Sequence, residues 1–187
     1  MRIEVSQSEI KVRGGFIVPQ IMDAFDQFPY YIITGGKLEL YNILKDLKEL
    51  NGEENSYVDF YYELLSNPEQ ERVKESLPME GKLLLNQFLL EGENIHLEGE
   101  NFYSEDENFH LEGKNNQKPL YFQLTDDMLK LAVELSTSES LFSTFYFCKY
   151  SMIVWSNYGN RHPVFYKDEK IMISLQKQGI VFNKQVL

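Results

Sequence analysis

Apolar residues recur along this chain at two spacings, about three to four and two, which are the periods of a helix face and of a strand face. Spacing of two assigns strands to Ile3–Val5 and Ile10–Arg13, with Gly14-Gly15 as a turn. A short helix then opens at Pro19 and carries Ile21, Met22 and Phe25, and Pro29 closes it. Tyr30–Thr34 is β-branched and aromatic and reads as a strand. Leu38, Tyr41, Ile43, Leu44, Leu47 and Leu50 give the clearest helix face, which stops at Asn51-Gly52. Tyr57 to about Ser76 reads as helical with a break at Asn67-Pro68, and residues 82–90 are apolar without a deciding period.

The second half is more legible. Leu120–Leu124 alternates as a strand, and Thr125 caps a helix whose first turn holds Asp126 and Asp127, where the helix dipole favours negative charge. Phe142–Trp155 is aromatic and β-branched throughout and reads as one long strand or two at the centre of a sheet. A strand at Val164–Tyr166, a helix capped near Asp168 and stopped by Gly179, and a strand at Ile180–Phe182 follow. Strands and helices mix without strict alternation. The expected fold is therefore α+β, a single domain over 1–187 with a mixed or mostly antiparallel sheet packed by several helices. The expected core contains Leu38, Leu44, Leu47, Leu129, Ala132, Phe147, Ile153, Ile171, Leu175 and Val181.

Between these halves the pattern changes to four consecutive heptads over residues 90–117: LEGENIH, LEGENFY, SEDENFH and LEGKNNQ. A coiled coil requires apolar residues three and four apart, whereas here positions six and one of the next copy are two apart, as in Ile95 and Leu97. With Gly and Asn recurring from copy to copy, the expectation is a β-like or irregular exposed insertion and not a continuous helix. Glu91–Asn116 holds eight acidic side chains and one basic one, a local charge of −7 out of −11 for the whole chain of 187 residues. The bland reading is an expanded surface loop kept soluble by charge.

That acidity argues against nucleic acid or an anionic membrane as partner, both of which need a basic patch. The lone Cys148 has no internal disulfide partner, and neither a leader-like start nor a run of 18 apolar residues occurs, so the expected location is the cytoplasm. Motifs for chemistry are absent. His96 and His110 share a repeat position, but Tyr103 and Gln117 fill it in the other copies, which leaves too few ligands for zinc. The acids lack the alternating frame of a calcium loop. Thr34-Gly35-Gly36-Lys37 lacks the spaced glycines of a phosphate cradle, and Cys148 with His162 shows no activated setting for a nucleophile and base.

No catalytic residue, metal site or cofactor is expected. The leading expectation is a non-catalytic domain that binds a basic protein, as a bacterial immunity or antitoxin protein binds a toxin domain. Glu91, Glu93, Glu98, Glu100, Asp106, Glu107 and Glu112 would steer the partner, while Trp155 and Tyr158, beside Arg161 and His162, would anchor it. The rival expectation is an enzyme or small-ligand domain whose site assembles from residues distant in sequence.

Overall fold

Strands β3 (Ser56–Asp59) and β5 (Thr144–Phe147) are buried at every residue, because both faces of the sheet are covered at its centre. The computed structural model describes residues 2–18, 20–100 and 120–183, with the backbone alone for residues 93–100. Around these two strands lie β1 (Glu4–Val5), β2 (Tyr30–Thr34), β4 (Tyr121–Gln123), β6 (Met152–Trp155) and β7 (Arg161–Tyr166). The seven strands run in the order β1-β4-β3-β5-β6-β7-β2, and every pairing is antiparallel. The long aromatic stretch is thus two strands, joined by a tight turn in which Ser151 is left-handed.

One face is packed by α3 (Lys37–Asn51), α4 (Asn67–Ser76), α5 (Met79–Glu100), α6 (Asp126–Thr137) and α7 (Glu169–Lys177). Leu40, Leu44 and Leu47 of α3, and Leu129, Ala132 and Leu135 of α6, meet Phe145, Phe147 and Val154 there in the larger core cluster. Strand alternation turns Tyr57, Tyr146, Ile153 and Phe165 to the opposite face. That face is covered by α1 (Gln7–Val12), α2 (Ile21–Gln27) and the loop between them, through Ile10, Phe16, Val18 and Ala24.

Several expectations are corrected. Residues 10–13 are not a strand: Ser6 and Glu9 form a capping box, each side chain bonding the other's backbone N–H, and this starts α1. The helix expected from Pro19 is α2, which opens at Ile21, and Pro19 itself lies outside the described residues. Tyr57–Asp59 is strand rather than helix, since burial on both faces removes the alternation that marks a strand. The Asn67-Pro68 pair opens α4 instead of breaking a helix. Ile180 and Phe182 are buried, but among the described residues the segment meets the sheet only at a bridge between Asn183 and Ile32. Its intervening residue, Val181, is 66% exposed, and so is Leu38, which lies two positions from Leu40 and hence on the far side of α3. The other expected core residues are buried, Ile171 only in part.

The start of the repeat also departs from expectation. Its residues 90–100 continue α5 without a break, while residues 101–117 lie outside the described residues. Helix growth is cooperative, so an element already fixed in the core by Leu85 and Phe88 extends at little cost per residue, and this outweighs the roughly 1 kcal/mol penalty of each Gly.

Candidate functional site

The point where α5 leaves the core is built around Arg2. Its guanidinium is buried between the rings of Phe88, at 4.5 Å, and Phe122, at 5.1 Å, and pairs with Glu4 at 2.9 Å and Glu63 at 2.7 Å. The Arg2 backbone N–H donates to the Glu91 carboxylate, to which Gln87 also donates at 3.3 Å. The guanidinium lies where a Cβ on Gly92 would stand, so the first Gly of the repeat is needed for close approach. Glu91 and Gly92 therefore anchor the first heptad to the domain.

Of the expected partner-binding residues, Glu91 is held by Arg2. Glu93, Glu98 and Glu100 lie on α5 where the backbone alone is described, and Asp106, Glu107 and Glu112 fall outside the described residues, as does His110. Trp155, opposite Thr144 at the end of β6, packs inward on the N-terminal face. Tyr158 is 65% exposed with its ring edge-on to Phe142 at 4.5 Å. The two aromatics thus point into different surroundings and do not form one anchor.

Buried titratable groups mark both faces of the sheet. On the N-terminal face Asp59 accepts from the Thr144 backbone N–H at 2.6 Å and from the Tyr61 and Tyr146 hydroxyls at 3.1 Å each. Burial pushes its carboxyl up to about 6 against the pull of those donors. Burial also pushes the Tyr146 and Tyr61 phenols far above their ordinary value. On the helical face His162 accepts at Nδ1 from the Asn157 backbone N–H at 3.1 Å, and burial brings it down to about 4, so it is neutral. Sequence reasoning missed Asp59. The only signal for it was an acid flanked by Tyr57, Val58 and Phe60 inside a run with no solvent-facing period.

Cys148 packs on the N-terminal face, donating to the Ile10 carbonyl at 3.6 Å, and burial pushes its thiol up to about 11. It and His162 are on opposite faces and do not form a nucleophile–base pair. Thr34–Lys37 is a strand-to-helix turn in which Lys37 pairs with Glu134. That pair edges a groove of about 400 Å³ between α3, α5 and α6, lined by Tyr41, Leu84 and Val133 with Leu38 at its rim. Among the described residues no cluster of His, Cys, Asp and Glu is placed to hold a metal, and no helix is long and apolar enough to cross a membrane.

Comparison with known proteins finds no matching family model, no matching curated protein and no matching solved structure.

Proposed function

We propose that this protein is a non-catalytic binding domain for a basic protein partner, of the kind an immunity or antitoxin protein presents to a toxin domain. The observation that carries the reading is the concentration of −7 of the chain's −11 between Glu91 and Asn116, on a segment that begins as the continuation of α5. Concentrated charge of one sign raises the rate of encounter with an oppositely charged partner and selects against others. The buried groups also fit a binder. Asp59 is occupied by donors that tie β3 to β5, which is structural work, and the groove's Lys37 and Glu134 neutralise each other.

The rival reading, a small-ligand domain, draws on the groove, whose volume lies in the range of ligand pockets. The test is surface plasmon resonance across a salt series, using the basic protein that co-purifies from the native host. The wild-type association rate should fall steeply with salt, and Glu→Gln at Glu93, Glu98 and Glu100 should lower it and flatten that dependence. Glu91 is left out because its loss would disturb the Arg2 anchor. A rate indifferent to salt and to these substitutions removes the reading.

A further inference from the structure

We infer that the outward side of α5 is the acidic strand of a two-stranded coiled coil, and that its partner is a basic amphipathic helix with leucine-type heptads. This rests on the binding function proposed above and names the class of partner. Leu83 and Leu90 are 62% and 59% exposed on a helix whose Leu85, Phe88 and Gly92 face the domain. They are seven apart, and the sequence continues the spacing at Leu97, still within α5.

With the leucines at d, position a is Gln87 and then Asn94, so polar a positions alternate with apolar d positions three and four residues apart. The positions flanking this seam, e and g, are Glu91, whose carboxylate is held by the Arg2 backbone N–H, and Glu93 in one heptad, and Glu98 and Glu100 in the next. Asn at a narrows the choice of register and oligomer at a cost in stability, and e and g set the choice of partner. Glu at both flanks places like charges opposite each other in a pair of identical strands. The seam therefore disfavours a second copy and favours Lys or Arg at the e and g positions of a different helix. Gly92 and Gly99 take position f, outside the seam.

The probe is a synthetic four-heptad peptide with Leu at d, Asn at one a, Val at the others, and Lys at e and g, mixed with the full chain. Titration calorimetry should give one peptide per chain, and circular dichroism should show more helix than the sum of the components. Leu83→Asp with Leu90→Asp should weaken binding by about tenfold or more, with an unchanged melting temperature, since both side chains are exposed. A Lys peptide of identical composition but scrambled order should bind at least about tenfold more weakly than the zipper peptide. If the two peptides bind alike, or the leucine variant binds as the wild type does, the coiled coil is wrong while attraction to basic partners stands. If neither peptide binds, both readings fall. A wild-type dimer in sedimentation that Leu90→Asp abolishes would assign the seam to a second copy and overturn the proposal.

Discussion

The two faces of the sheet are covered by unlike material. The helical face has long, periodic elements: α3, α6 and α7 each set aliphatic side chains against Phe145, Phe147, Val164 and Tyr166. The N-terminal face has a six-residue helix, a seven-residue helix and a loop, and it rests on rings such as Phe16, stacked on Phe28 at 4.5 Å, and Phe165, met edge-on by Phe25 at 5.0 Å. Contacts there are close, for a Cβ on Gly15 would stand 2.7 Å from both Cys148 Sγ and Ile10 Cγ2. A thick layer and a thin one can therefore share a sheet, each well packed, while differing in how they open.

The largest effect should come from the thick layer. Leu129 is fully buried between α6 and the sheet, and Leu129→Ala should cost about 2–5 kcal/mol of global stability by urea unfolding. Ile10→Ala on the thin layer should act differently, speeding amide exchange in residues 7–28 before the sheet amides respond. Uniform acceleration in both variants would make the two faces one cooperative unit and remove the distinction between them.

The same contrast governs how legible each layer is in the sequence. Leu44, Leu47, Leu129 and Leu175 belong to helical patterns sustained over nine residues or more, so α3, α6 and α7 stand out in the spacing of apolar residues alone. The N-terminal helix α1 buries Ile10 alone, too little for a period, and only the Ser6–Glu9 box betrays it. In the repeat the polar Asn94 occupies a seam position, so a heptad pattern with apolar residues at both a and d does not form there. The Arg2 anchor joins residues 89 apart and has no local signature.

Acidity separates the faces next, because each holds a buried titratable group and the two are shifted in opposite directions. Asp59, at about 6 in the fold against roughly 3.9 unfolded, adds stability below pH 4 that is lost as pH rises through 6. His162, at about 4 against roughly 6.5, adds stability above pH 6.5 that is lost as pH falls through 4. Each is worth about 3 kcal/mol, and between pH 4 and 6 they oppose each other. Relative to wild type, Asp59→Asn should gain stability across that window as pH rises, and His162→Gln should lose it. Urea melts at pH 4.5 and 6.5 read both signs, and equal slopes in all three proteins would deny that either group is desolvated.

Within the repeat the same residue type should behave oppositely in adjacent copies. Gly92→Ala drives a methyl into the Arg2 guanidinium and should cost roughly 1–3 kcal/mol. Gly99→Ala, one heptad later on the same helix, should instead favour helix by up to about 1 kcal/mol. Thermal melts and helical dichroism of the two variants separate the copy held by Arg2 from the one that follows it. Equal destabilisation would mean that the second copy is anchored as the first is.

The smallest effect belongs to Leu38, an apolar residue out of phase with its helix. It shares the character of the α3 face but stands two residues before Leu40, about 200° round the helix from it. It is 66% exposed at the edge of the α3–α5–α6 groove, so little apolar area returns to water when its side chain is shortened. Leu38→Ser should therefore change stability by no more than about 0.5 kcal/mol, whereas Leu40→Ser, on the buried side of the same turn, should destabilise the fold several-fold more. Paired urea titrations measure the ratio directly. A Leu38 variant as damaging as its Leu40 counterpart would mean that the groove is closed over Leu38 in solution, and that the helical face is thicker than its described residues make it.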